Sequence, residues 1–245
     1  MKMKHIAFIL LIMGSLVAPS FATEEVPDAA LDKALQQFSK TLPKTGVDSF
    51  KPSPIPGLYQ VSAGPQVFYF SPEGYLVFGE IWSQDGKNIT AQARNEIVQT
   101  NIAKLPLDKA LTIGSGPIQV IEFTDPDCPF CRQLDQILAK RTDLTRHIFF
   151  FPLESIHKTA RAKARYILCS QDKEVALQEV FQGGLDNQPI PQVGDCDVDV
   201  LIDEHLRAGG SVGVRGTPTL WIEGQRIQGD ANTISTYLNQ KGVKK

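Results

Sequence analysis

The stretch Ile118–Arg132, IQVIEFTDPDCPFCR, decides how this chain is read. An apolar segment runs through Phe123, breaks at Asp125 and Pro126, and delivers Cys128 and Cys131 to the first turn of a helix. With Cys128 as N-cap, Pro129 falls at the first helical position, where its fixed φ suits a helix start and its missing N–H costs nothing. Cys131 then sits two positions further in. The Cys128 sulfur is placed to accept the N–H groups of Phe130 and Cys131, and the positive end of the helix dipole favours thiolate over thiol. Cys128 is the expected nucleophile, and Cys131 the thiol that closes a disulfide or resolves a mixed one. Asp125 and Asp127 work against thiolate formation. A C-x-x-C is also half of a zinc site, but such a site usually needs a second closely spaced pair, and Cys169 and Cys196 are far apart on different elements. The expectation is redox chemistry without a metal or other cofactor.

The first residues speak to compartment. Lys2 and Lys4 precede an apolar run from Ile6 to Val17, then Pro19, Ser20, Phe21 and Ala22, which reads as a secretory signal cleaved after Ala22. The run is too short for a membrane span of about 20 residues. No cysteine sits near the cut to carry a lipid, so a soluble exported protein is expected. Loss of the two lysines moves the formal charge from −2 to −4, with 23 basic against 27 acidic residues. That mildly acidic balance argues against nucleic acid as a partner. All four cysteines survive the cut, and an oxidising compartment lets them be disulfides.

The apolar residues Leu31, Leu35, Phe38 and Leu42 predict a short amphipathic helix over Ala29–Leu42. A Pro-rich passage, KPSPIPG, leads into strand-like runs at Leu58–Ser62, Gln66–Phe70 and Tyr75–Trp82. Ser71-Pro72-Glu73-Gly74 joins the last two as a type I turn. About 60 residues of this kind make a thin core with exposed strand edges, so residues 23–87 are expected to dimerise. The alternative is that they pack on the larger domain. Thr90 is a candidate cap for the mostly polar helix AQARNEIVQTNIAKL, read as a solvated spacer over 88–104. From Leu105 onward come a strand to Phe123, the cysteine helix, a strand at His147–Phe151, and helices at Lys158–Cys169, Asp172–Phe181 and Val198–Ala208. A strand at Leu220–Glu223, a turn at Gly224-Gln225, a short strand at Arg226–Gln228 and a helix at Asn232–Asn239 close the chain. Such alternation suggests an α/β domain with a central sheet over 105–245. His5, His147, His157 and His205 are scattered, without ligand spacing, and read as structural or surface residues once His5 leaves with the signal.

A strand, a C-x-x-C at a helix start and a late Thr-Pro before a β-hairpin together resemble the thioredoxin fold. FTDPDCPFC, CSQDKEVALQEVF, CDVDV and GVRGTPTLWI, in that order behind a signal peptide, are similar to the periplasmic disulfide isomerase family of DsbC and DsbG, nearest to DsbC. The likeness extends weakly into FSPEGYLVFGEIWSQDGKNIT. It implies an α/β, two-domain architecture: a thioredoxin-like catalytic domain with a helical insertion, after a small α+β (cystatin-like) dimerisation domain and a linker helix. Cys128 and Cys131 match the family's catalytic pair, with Pro129 and Phe130 between them. Thr217-Pro218 matches its Thr followed by a cis-proline, whose backbone would pair with an extended substrate as an added strand does; the alternative is an ordinary trans turn proline. Cys169 and Cys196 match a second, structural disulfide of DsbC, closing a loop of about 28 residues and stabilising the fold by about 3 to 4 kcal/mol on the chain-entropy estimate.

Two departures bear on function. Pro129-Phe130 is nearer to the Pro-aromatic pair of DsbG than to the Gly-Tyr of DsbC. Glu122 stands where DsbC has an apolar residue and where thioredoxin and eukaryotic disulfide isomerase carry a buried acid thought to take the proton of the second cysteine. Glu122 is therefore a candidate general base for Cys131, the alternative being a glutamate at a solvated strand position. The resemblance implies a periplasmic thiol:disulfide isomerase acting as a homodimer on misfolded disulfide-containing exported proteins, with a membrane reductase of the DsbD type as electron donor. A DsbG-like reductase of single oxidised cysteines, a DsbA-like oxidase and a dimeric chaperone for unfolded chains are the other readings.

Overall fold

A computed structural model describes residues 28–194 and 196–242; the expected signal peptide lies outside them. No helix among the described residues is long and apolar enough to cross a membrane.

Helix α1 (Asp28–Thr41) packs on an antiparallel four-stranded sheet of order β1-β2-β3-β4. The strands are β1 (Ser49–Pro52), β2 (Tyr59–Ala63), β3 (Gln66–Phe70) and β4 (Leu76–Val77). Phe38 is the anchor: its ring meets Phe70 edge-on at 5.2 Å and Phe50 at 5.7 Å, and it is fully buried. The turn joining β3 to β4 is closed by the Gly74 N–H donating to the Ser71 carbonyl at 2.9 Å. Gly74 itself adopts a φ of 97°, which disfavours any side chain there.

Four local expectations need correcting. The Pro-rich passage begins with a strand, β1, tolerable because it is an edge whose only partner among the described residues is β2. Within the Tyr75–Trp82 run only Leu76–Val77 form a strand; Trp82 makes a single bridge to Asn88, and Phe78 and Trp82 lie exposed with no further strand among the described residues to continue the ladder. Helix α2 (Ile89–Ile102) is capped by Asn88, whose side chain accepts the Ala91 N–H at 2.8 Å. Thr90 is instead buried, its hydroxyl bonded to Tyr69 Oη and the Ile81 N–H. Nor is α2 a free spacer: Ala93 packs with Val67 and Tyr69 of the first sheet, and Ile102 enters the second core.

The second sheet has five strands in the order β5-β7-β6-β8-β9. Strands β6 (Ile118–Thr124) and β7 (Leu144–Phe150) run parallel at its centre; β5 (Leu111–Ile113), β8 (Thr219–Ile222) and β9 (Gln225–Ile227) pair antiparallel. Strand β5 was not expected, three residues giving no legible alternation. Alternation along β6 sorts its side chains: Ile118 and Val120 face α3 (Pro129–Leu138) and α7 (Ala231–Gly242), whereas Ile121 and Phe123 face the end of α2 and α6 (Asp199–Ser211). Helices α4 (Ala160–Cys169) and α5 (Lys173–Phe181) close over the top of the α3 face, burying Cys131 among Ile148, Phe150, Ile167, Leu177 and Val180.

Candidate active site

Strand β6 ends at Thr124, and the Cys128 N–H donates to the Asp125 carbonyl at 3.1 Å to make the turn into α3. Cys128 is the N-cap and Pro129 the first helical residue; the Arg132 N–H donates to the Cys128 carbonyl at 3.1 Å as the first helical bond. Both thiols are free and buried, Cys131 completely and Cys128 at 5% exposure. Phe130, at 67% exposure, stands out beside them. The Thr217–Pro218 bond is cis rather than trans, and the Thr217 carbonyl lies 3.4 Å from the Cys128 sulfur. No backbone N–H reaches the sulfur within normal hydrogen-bond geometry, yet the N–H groups of Phe130 and Cys131 still act on it and lower its pKa, as the helix start predicts.

The two thiols are driven apart. The hydrogen bond from the Cys131 thiol is the largest cause lowering the Cys128 pKa to about 5; burial opposes it, while the Cys131 N–H, the Thr217 hydroxyl and the Phe130 N–H add to it. Burial pushes the Cys131 thiol far above its ordinary value, and its hydrogen bond to Cys128 adds to the rise. The site therefore holds one thiolate and one thiol near neutrality, the division of labour that thiol-disulfide exchange uses.

Residues 105–240 match the family described as Thioredoxin-like domain, and residues 24–91 match that described as Disulfide bond isomerase protein N-terminal domain. The probable thiol:disulfide interchange protein DsbC of Bordetella avium is 30% identical over 215 residues, covering 83% of this chain and 72% of that one. The chain belongs to the DsbC family of thiol:disulfide interchange proteins. DsbC of Escherichia coli K12 is 27% identical over 197 residues, 77% of this chain and 78% of its own. Among solved structures, a linker-deletion mutant of Proteus mirabilis ScsC gives a TM-score of 0.53 at 20% identity, covering 64% of this chain and 88% of that chain, a likeness of fold alone. As a member of the DsbC family the chain is a thiol-disulfide oxidoreductase.

Cys169 and Cys196 form a disulfide with Cα atoms 5.8 Å apart, tying the C-terminal end of α4 to the loop before α6. Glu122 is not at a solvated position. It is fully buried on the α3 side of β6, between Val120 and Thr124. Its Oε2 accepts from Arg146 Nη2 at 2.9 Å, and the same nitrogen donates to Asp135 Oδ1 at 2.8 Å. Glu122 Oε1 has no hydrogen-bond partner. Two carboxylates thus share one guanidinium beneath the cysteine helix.

Around the cysteine helix and its loop gather charged residues that sequence reasoning passed over: Arg132, Asp135, Arg146 and Lys163. Asp125, fully buried, accepts from the Asp127 N–H at 2.8 Å, the Leu153 N–H at 2.7 Å and His157 Nδ1 at 3.0 Å, so His157 is structural, bracing the catalytic loop. Lys163 and Arg132 meet Asp127 from the other side. A usable signal existed: Asp135 lies four residues after Cys131, Arg146 between Leu144 and Ile148, and Lys163 between Ala160 and Ala164 on a helix, each a charge at an inward position of an apolar pattern. His205 is likewise structural, accepting the Phe150 N–H at Nδ1 (3.0 Å) with Nε2 facing the Lys109 carbonyl.

Proposed function

We propose that this DsbC-family oxidoreductase is a disulfide isomerase of exported proteins. The observation that carries the reading is the split pair: a low-pKa Cys128 at the mouth of the site with a buried, high-pKa Cys131 beneath it. The Cys128 thiolate attacks a wrong disulfide, its new S–S bond forming as the substrate bond breaks and the departing sulfur takes up a proton. A second substrate thiolate then displaces Cys128, leaving enzyme and substrate redox states unchanged. Alternatively, Cys131 displaces the substrate, which leaves reduced while the enzyme becomes a disulfide. Phe130, Pro129 and the Thr217-Pro218 segment flank the nucleophile and serve as the substrate platform, the Thr217 backbone pairing with an extended client chain. Glu122, with one oxygen held by Arg146 and the other unpartnered, is the proton acceptor assigned to Cys131. Pro129-Phe130 also suits a DsbG-like reductase of single oxidised cysteines.

The deciding experiment is refolding of a scrambled multi-disulfide protein by wild type and Cys131→Ala. An isomerase rescues native pairing, and the variant retains part of that rescue; a reductase releases free thiols without restoring native pairing, and a chaperone is indifferent to Cys128→Ala.

Residues 23–87 are assigned to a homodimer, supported by the short edge strand β4 and the exposed Tyr75, Val77, Phe78 and Trp82 along it. The signal-like first 22 residues support a periplasmic location, where a membrane reductase of the DsbD type would keep the pair reduced; recovery with the cytoplasmic fraction after osmotic shock would contradict this.

A further inference from the structure

Asp127 directly precedes the nucleophile. An unpaired carboxylate so close to a forming thiolate would raise the thiol pKa by roughly one to two units at an effective dielectric of about 20. The structure does not leave it unpaired. Lys163 of α4, 2% exposed, places Nζ 2.5 Å from Asp127 Oδ1 and 2.6 Å from Asp186 Oδ1. Arg132, the residue after Cys131, grips Asp186 through Nη1 at 2.6 Å and Nη2 at 2.8 Å, reaches Asp127 at 3.3 Å, and donates from Nε to the Pro126 carbonyl at 2.8 Å. Thr159 Oγ1 donates to the other Asp127 oxygen at 2.5 Å. Arg132, followed by Lys163, holds the Asp186 carboxyl well below the usual carboxylate range.

Two cations and two anions therefore form a closed, neutral quartet joining the cysteine loop to the helical insertion. The other groups that act on the Cys128 sulfur are the Cys131 thiol and N–H, the Phe130 N–H and Thr217, while the nearby Asp125 carboxylate on the same loop is paired with His157. A lysine this deeply buried is tolerable only with its anions in place, so Lys163 and Asp127 depend on each other.

We propose that Lys163 is a positioning residue for thiol exchange, cancelling the charge of Asp127 so that the Cys128 anion forms beside a neutral loop. The inference rests on the exchange chemistry of the site and goes beyond it, making the α4 insertion part of the electrostatics of the nucleophile. Removing Lys163 alone leaves the quartet at −1, removing Asp127 alone leaves it at +1, and removing both restores neutrality.

The test is thiolate absorbance near 240 nm of the reduced full chain from pH 3 to 9, for wild type, Lys163→Met, Asp127→Asn, the double variant and Lys163→Arg. The Cys128 pKa should fall in the order Asp127→Asn below wild type, the double variant near wild type, and Lys163→Met higher by about one unit, with Lys163→Arg close to wild type. The equilibrium with glutathione should follow, Lys163→Met favouring its disulfide about tenfold more than wild type. A merely structural lysine would shift the pKa in Lys163→Met without recovery in the double variant, and that result overturns the proposal. If Lys163→Met does not fold, Asp127→Asn decides alone: a pKa unchanged or raised overturns it. A wild-type protein with no thiolate transition below pH 7 would refute the exchange reading itself, a separate failure.

Discussion

Arg146→Met tests the buried charge beneath the cysteine helix. In the native protein Arg146, 3% exposed, holds Glu122 at 2.9 Å and Asp135 at 2.8 Å, both themselves buried. Methionine keeps the unbranched stem and removes the charge, leaving two carboxylates facing each other without a cation. Breaking a buried pair by deleting one partner costs about 3 to 5 kcal/mol; for a chain of this size that is a fall in Tm of roughly 6 to 20 °C. Differential scanning calorimetry at pH 7 measures it. An unpaired buried carboxylate takes up a proton as pH falls, so the deficit should narrow by pH 4, and adding Glu122→Gln should recover part of it at pH 7. A Tm within 2 °C of wild type, or a deficit flat between pH 4 and 7, would show that the cluster does not carry the charge balance drawn here. The same series addresses the Glu122 assignment: Glu122→Gln should slow release of a mixed disulfide by Cys131 on the order of a hundredfold, and unchanged exchange rates from pH 6 to 9 would remove Glu122 from the chemistry.

Two further predictions follow from the same geometry. Alkylation of Cys128 should be nearly flat from pH 6 to 9 and half-maximal at about pH 5, the value set chiefly by the Cys131 hydrogen bond. The sign follows from a thiol pKa depressed on folding: the stabilisation of the reduced fold is fully present above the ordinary thiol value, shrinks as pH falls, and is gone below about 5. Stopped-flow trapping with an inflexion near pH 8.5 would refute it. Replacing Phe78 and Trp82 by Asp on the exposed edge should convert a sedimenting dimer to a monomer at micromolar concentration without altering Cys128 alkylation; an unchanged sedimentation coefficient would move the interface elsewhere.

The centre of this site is legible in local sequence grammar. Pro129 one residue past Cys128 announces a helix start, Ser71-Pro72-Glu73-Gly74 a turn, and a Thr-Pro ahead of TLWI a loop entering a strand; each depends on neighbours in sequence, and each is where expected. What escaped depends on partners far along the chain. Asp135 is separated from Arg146 by 11 residues, Asp127 from Lys163 by 36 and Arg132 from Asp186 by 54, so no local window couples them. Strand β1 was hidden because Pro52 and Pro54 read as a breaker, although a proline at the end of an edge strand costs little. The run Tyr75–Trp82 misled in the opposite sense: its apolar residues have strand character, but only Leu76 and Val77 join the sheet, Phe78 stacking on Phe68 and Trp82 making a lone bridge to Asn88.

The helical insertion gives the separation of the two thiols a physical cause. Helices α4 and α5 bury Cys131 among apolar side chains, and burial is what pushes that thiol up. From the same α4, Lys163 reaches the loop and pairs with Asp127, the residue before Cys128. A protonated Cys131 must lose its proton before it can displace a bound client, whereas a client thiolate already ionised at the mouth of the site needs no such step. The deeper the insertion seats Cys131, the longer a mixed disulfide persists, and the more often a client sulfur rather than Cys131 ends it. If the enzyme is the isomerase proposed here, partition between rearranging a disulfide and reducing it is then a matter of how α4 and α5 cover one buried sulfur, and changes in that cover should move the two outcomes in opposite directions.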